Sequence, residues 1–209
     1  MADPIDRIVL GFDRALRTLT GHYPTSRASP AADIVESEMD DAERRHVAGL
    51  MRVNHCGEIC AQALYEGQAV TARSDAARDS LQRAAQEERD HLRWCRDRLG
   101  ELDASPSVLD PLFYGASFLM GAITGLAGDK VSLGFVEATE DQVVAHLDRH
   151  LETIPSDDEK TRAIIRQMRS DEERHGAEAL ALGGSTFPAV VKSAMTVLSR
   201  FMTATTYRV

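Results

Sequence analysis

Two short stretches of this 209-residue chain repeat one chemical pattern: Glu88-Arg-Asp-His91 and Glu172-Glu-Arg-His175 each set a histidine three residues after a glutamate. On a helix, positions i and i+3 share a face, so each pair aims an oxygen donor and a nitrogen donor at one point. A lone pair of this kind is ordinarily solvated, and Glu43-x-x-His46, in the first turn of its helix, reads that way. The other two pairs sit on apolar stripes, Glu88 between Ala84/Ala85 and Leu92 and Glu172 four residues after Met168, while Glu58 and Glu140 hold the matching place on two further stripes. Four carboxylates inside a core repel one another and are heavily desolvated unless cations join them. Two divalent ions would balance four negative charges, and two neutral imidazoles would complete an oxygen/nitrogen donor set. Glu58, Glu88, His91, Glu140, Glu172 and His175 are therefore the candidate metal ligands.

The elements that must position them can be read from periodicity and punctuation. A helix is expected from about Asp41 to Arg73, opened by an Asp40/Glu43 capping box. A second runs from about Asp75 to Leu99, with Ser74 as N-cap and Gly100 just past its end. A third runs from about Asp129 to Thr153, and a fourth, opened by a Ser156-x-x-Glu159 capping box, to about Leu182, where Gly183-Gly184 ends it. Glu58 and Glu88 are centred on residue 73, and Glu140 and Glu172 on residue 156. Each glutamate thus lies roughly 22–24 Å from its turn at 1.5 Å per residue, which allows a single layer. Two hairpins joined by a long crossover give an all-α, ferritin-like antiparallel four-helix bundle, and two Glu plus two Glu-x-x-His is the ligand recipe of the ferritin-like dimetal carboxylate proteins. Such donors suit iron or manganese, and the absence of cysteine ligands argues against iron–sulfur.

The remaining segments attach to one expected domain, residues 1–209, with its bundle core at about 40–182. Residues 1–39 form an extension that starts with an amphipathic piece (Ile5, Ile8, Val9, Phe12, Leu16, Leu19), and 188–207 form a C-terminal amphipathic helix. The crossover at 107–128 contains eighteen uncharged residues from Pro111 to Gly128, five of them Gly or Pro, barely the length of a membrane span. It is either a buried crossover or a membrane-contacting hairpin presenting Leu112, Phe113, Phe118, Leu119, Met120 and Ile123. The acid-free tail could lie beside it, with Val190, Val191, Met195, Leu198 and Phe201, and attract anionic headgroups.

Composition narrows the rest. A hydrophobic content of 43% supports a packed core and excludes disorder, and a net charge of −9 argues against nucleic-acid binding. Residues 31–178 hold 30 acids against 17 bases. Three cysteines (Cys56, Cys60, Cys95) without a CxxC pair fit a reducing compartment, and the early acids fit neither a secretory signal nor a transit peptide, so the cytoplasm is the expected compartment. His55 is either a partner of a ligand or plain helix surface. Asp90 and Asp171 could orient imidazoles. Cys56 and Cys60 read as packing, Tyr65 as core or as a radical or proton path, and His146 as surface.

The sequence resembles the demethoxyubiquinone hydroxylases of ubiquinone biosynthesis, the Coq7/Cat5 family. The resemblance rests on Arg52-Val-Asn-His-Cys-Gly-Glu58 with Tyr65-Glu-Gly-Gln68, on Glu87-Glu-Arg-Asp-His91-Leu, on Val136-Glu-Ala-Thr-Glu140 with Ala145-His146, and on Asp171-Glu172-Glu-Arg-His175. It implies two Fe ions, Glu58 and Glu140 terminal to one iron each, Glu88 and Glu172 bridging, and His91 and His175 capping one each. His146 matches a family histidine assigned to electron or proton relay. The family commonly has Ala where this chain has Cys56, and often Tyr at the place of Leu147. The implied reaction is O2-dependent hydroxylation of the ring of a 6-methoxy-3-methyl-2-polyprenyl-1,4-benzoquinol, with electrons from an external reductant for which NADH is the candidate. A peripheral position on the cytoplasmic side of a bacterial cell membrane, other ubiquinone-biosynthesis proteins as partners and an oligomeric state left open complete the expectation. From the residues alone, a ferritin-like protein that oxidises and stores iron is the main alternative. A manganese catalase also fits the ligands, whereas a rubrerythrin-like peroxidase would carry CxxC pairs that this chain lacks.

Overall fold

The computed structural model describes residues 4–209; the side chains of Ile5 and Ile8, two of the expected N-terminal apolar positions, lie outside what is described. Among the described residues the chain forms seven helices and no strand: α1 (Pro4–Thr20), α2 (Asp41–Thr71), α3 (Asp75–Glu101), α4 (Asp110–Leu126), α5 (Asp129–Thr153), α6 (Glu159–Ala181) and α7 (Ala189–Thr206). Helices α2 and α3 form one hairpin and α5 and α6 the other; α3 packs on α6, and α4 bridges α2 and α5. This is the ferritin-like bundle with its crossover helix.

Local signals place most boundaries. The Asp40 carboxylate accepts from the amides of Ala42 and Glu43, and the Asp40 amide donates in turn to the Glu43 carboxylate, completing the capping box. Ser74 caps α3 through the Ala77 amide. Two expected boundaries move. Helix α3 does not stop at Gly100, because Leu99 and Leu102 are both buried in the core cluster; Asp103 instead takes the left-handed turn, at φ 56°. Helix α6 is capped by Asp158, not Ser156: Asp158 accepts the Thr161 amide at 3.0 Å and also holds Arg98, whereas the Ser156 hydroxyl turns to Asp157.

Two polar clamps set the register between the hairpins. At one end Asp129, opening α5, accepts the amides of Arg73 and Ser74 in the α2–α3 turn, both at 2.9 Å. At the other, the buried Arg98 of α3 bonds Asp158 and Thr161 at the start of α6, together with Glu36 and Glu101. The turn of each hairpin therefore abuts the opposite hairpin, which brings the midpoints of the four long helices to one level.

Helix α2 is buried on nearly every side because α4 lies against it. The approach is close enough to require glycine: a β-carbon on Gly67 would strike the Phe118 carbonyl, and one on Gly121 the Leu64 carbonyl. Among the apolar positions expected to face outward, Leu112, Leu119, Met120 and Ile123 of α4 do so, but Phe118 turns inward against the Ile59, Ala63, Leu92 and Tyr114 cluster, and Phe113 is half-buried. No described helix is long and apolar enough to cross a membrane.

Candidate metal centre

All six candidate ligands meet in a buried layer at the middle of the bundle. They form two groups whose donor atoms lie within 4.8 Å of one another, Glu58/Glu88/His91/Glu172 and Glu140/Glu172/His175. Each long helix delivers one glutamate, α3 and α6 add the histidines, and all six are at least 96% buried.

The two central carboxylates reach both halves. Glu172 Oε1 lies 3.1 Å from His91 Nδ1, and its Oε2 lies 3.0 Å from His175 Nδ1. Glu88 mirrors it, with Oε2 at 3.1 Å from His91 Nδ1 and Oε1 at 3.4 Å from His175 Nδ1. Glu58 faces the His91 side only, at 3.5 Å, and Glu140 belongs to the His175 group, where the Tyr65 hydroxyl donates to it.

The outer nitrogens of both rings are held crosswise. His91 Nε2 lies 3.0 Å from Asp171 and His175 Nε2 lies 3.2 Å from Glu87. Asp171 and Glu87 are the residues just before Glu172 and Glu88, so each Glu-x-x-His pair is steered by the acid that precedes the other pair. With a metal bound, an Nε2–H donating outward would leave the Nδ1 lone pair facing inward, as a metal-ligating histidine requires.

Sequence and geometry now converge with comparison. The family model for ubiquinone biosynthesis protein COQ7 matches residues 32–206. The chain is 58% identical over 207 residues to the 3-demethoxyubiquinol 3-hydroxylase of Ectopseudomonas mendocina, covering 99% of this chain and 96% of that protein. The enzymes of the same name from Pseudomonas fluorescens and Pseudomonas aeruginosa share 56% over 210 and 54% over 207 residues, with the same coverage. The chain belongs to the COQ7 family.

In this COQ7-family chain the buried cluster has the chemistry to hold metal ions. Oε1 of Glu88 and Oε1 of Glu172 are buried with only an ion-pair contact to one imidazole Nδ1, at 3.4 and 3.1 Å, and no well-aligned hydrogen bond, a costly state unless a cation takes the lone pairs. Protons stand in for that charge. Burial, then the neighbouring Glu88, lifts the Glu58 carboxyl well above its ordinary range. Burial and the charges of Glu172 and Glu88 do the same to Glu140. Burial opposes ionisation of Glu88 as well, but bonding to Glu58 and the two imidazoles wins and holds it low. For His91 and His175 the burial penalty is outweighed by the surrounding carboxylates, which raise both rings.

The other singled-out residues separate cleanly. Asp171 orients an imidazole, whereas Asp90 meets Ser26 and Arg27 instead. His55 is fully buried rather than on the surface, and its Nδ1 lies 3.0 Å from Asp110 at the start of α4, not beside a candidate ligand's carboxylate. His46 bonds the Tyr207 hydroxyl at 2.8 Å. His146 lies outside both donor groups, its ring 4.0 Å from that of His150. Cys56 and Cys60 are free thiols one turn apart on α2; the neighbouring Cys60 and burial push the Cys56 thiol up. Sequence reasoning missed Glu87 and Arg27. Glu87 had a signal, since an acid precedes the glutamate in both motifs; Arg27 had none.

Proposed function

We propose that this chain is a di-iron monooxygenase that hydroxylates the ring of a 5-demethoxyubiquinol, a 6-methoxy-3-methyl-2-polyprenyl-1,4-benzoquinol. The observation that carries the reading is the placement of Glu88 and Glu172, each with one oxygen toward each inward-facing Nδ1. In this reading the two irons would be held by Glu58 and His91 on one side and Glu140 and His175 on the other, with Glu88 and Glu172 offered to both. The names of relatives that match 99% of the chain support the substrate assignment. They speak against iron storage as well.

When bound, two irons supply the two-electron activation of O2 that places one oxygen atom on the ring and releases the other as water. The chain supplies the rest. Asp171 and Glu87 fix the two rings, and the Tyr65 hydroxyl holds Glu140. A small cavity beside Tyr65 and His175 has a mostly apolar wall of Leu81, Ala84, Leu133, Val136 and Ala179, with Ser80 and Glu178 its other lining residues. Burial, then the charge of Arg149, pushes the His146 ring down to about 4, so at neutral pH it is a neutral base available for relay. The electrons come from an external reductant, with NADH as the candidate donor.

A polyprenyl tail requires access to lipid. Leu119 and Ile123 of α4, Val197, Leu198 and Phe201 of α7, and Phe12 and Leu16 of α1 are exposed, and in this reading they seat the protein peripherally on the membrane surface. The test of the reaction is a turnover of the anaerobically iron-loaded protein with a reductant and a short-chain demethoxyquinol under 18O2. One labelled atom in the product ring supports the reading, and unlabelled product or none refutes it.

A further inference from the structure

The segment between α1 and α2 crosses the α3–α6 seam and touches the centre from outside. The Ser26 amide and hydroxyl both donate to Asp90 at 2.7 Å. The Arg27 guanidinium donates to Asp90 at 3.1 Å and to Asp171 at 2.7 Å, lies 3.3 Å from His91 Nε2, and stacks 4.9 Å above the Trp94 ring. Its two acceptors are almost completely buried.

Comparing the two motifs position by position shows what this contact replaces. In Glu172-Glu-Arg174-His175 the third residue is Arg174, which pairs with Glu87 at 2.5 Å and with Asp171 at 3.1 Å. The outer carboxylate of the His175 half thus has its counter-charge within the bundle. In Glu88-Arg-Asp90-His91 the third residue is an acid. It adds a second buried negative charge beside Asp171, whose Oδ1 already meets Arg174 and Gln167 within the bundle, and the uncompensated side, Asp90 and Asp171 Oδ2, calls for a further cation, which residue 27 supplies. Without it, Asp90 and Asp171 would repel each other and Asp171 would lose a charge-assisted bond that fixes its carboxylate.

We propose that Arg27 is a positioning residue for the His91 half of the centre, so that one metal position depends on the segment ahead of the bundle and the other does not. This rests on the dimetal reading above. Arg27 holds Asp171, Asp171 holds the His91 ring, and the ring presents Nδ1. The His175 half has no such external support.

The experiment loads the full-length chain with 57Fe(II) under anaerobic conditions and follows iron loss to a chelator in wild type, Arg27→Gln and Arg27→Lys. Mössbauer spectra are taken before and during release. Loosening an outer partner of a ligating histidine typically weakens metal binding about 10–100-fold. In R27Q one of the two irons is expected to leave at least about tenfold faster, with the other at the wild-type rate and a change confined to one iron environment. R27K, which restores charge without the two-pronged geometry, should fall between. Parallel loss of both irons, in step with a lower melting temperature of the metal-free chain, would assign Arg27 a merely structural role and overturn the proposal. So would wild-type release. If R27Q does not fold, Ser26→Ala, which removes one Asp90 donor and keeps the guanidinium, must show the same one-iron asymmetry at smaller amplitude, and symmetric release there overturns it. A wild-type chain that takes up no iron removes the dimetal reading and this inference together. A two-iron wild type matched by a two-iron, equally retentive R27Q removes this inference alone.

Discussion

Asp171 grips the imidazole of His91, 80 residues away, at 3.0 Å, although the histidine of its own helical motif is His175. The reverse grip, Glu87 on His175, makes the centre two interlocked halves in which neither hairpin can orient its histidine alone. A consequence follows for Asp171→Asn and Glu87→Gln. Each keeps the shape but weakens the acceptor and releases the preference for Nε2–H. Metal affinity is expected to fall by about 10–100-fold in either variant, with the helical circular-dichroism signal retained. Competition with a calibrated chelator measures it; unchanged affinity in both would show that the outer carboxylates do not orient the rings.

Proton release should accompany metal uptake. The raised Glu58, Glu140, His91 and His175 groups favour their protonated forms in the metal-free layer. Metal binding must displace those protons, so affinity rises with pH and falls as acid is added. Calorimetry in buffers of different ionisation enthalpy should find protons released on loading at pH 7. A buffer-independent heat would contradict this protonation pattern.

The elements were legible in the sequence wherever the signal was local. The apolar stripes, the Asp40–Glu43 box and the Ser74 cap depend on neighbours within a few residues, and so does the arithmetic that levels four glutamates about two turns. Misreadings came where distant partners decide. Ser156 and Asp158 are equally good caps on paper, and Asp158 wins because Arg98 meets it. Gly100 looks like a helix end until the burial of Leu102 shows that the core extends one turn further. Phe118 is indistinguishable from Leu119 in an uncharged run, yet one faces Ile59 and the other solvent. Arg27 sits in a loop without periodicity, and its partners lie 63 and 144 residues away.

Acid should weaken the fold at the far end of α5. Burial holds His146 down at about 4, and burial with His146, Arg149 and His46 nearby holds His150 at about 2, against 6.5 for a free ring. The folded values lie below the unfolded ones, so below pH 6.5 the unfolded chain binds protons that the folded chain refuses. Stability is therefore full above 6.5 and is lost as pH falls toward 4. Each ring adds up to about 1.4 kcal/mol per pH unit to that slope. Urea unfolding between pH 7 and 5 should show a shallower slope in His146→Gln and His150→Gln, and identical slopes would refute the assignment.

Membrane seating depends on particular side chains of α4. Leu119→Glu with Ile123→Glu replaces two exposed apolar groups that do not face the metal layer. Each apolar side chain withdrawn from water is worth about 1.5–3 kcal/mol, so flotation with anionic phospholipid vesicles should fall by at least about tenfold at unchanged iron content. Equal flotation would move the lipid-facing surface elsewhere.

The most direct test of the whole account is the iron stoichiometry and Mössbauer spectrum of the anaerobically loaded chain, beside a Glu88→Gln, Glu172→Gln double variant. Two irons per chain, magnetically coupled after oxidation, with coupling lost in the variant, is the result the proposed sharing of Glu88 and Glu172 between two irons requires. A single iron, two uncoupled irons, or a variant spectrum matching wild type would contradict it.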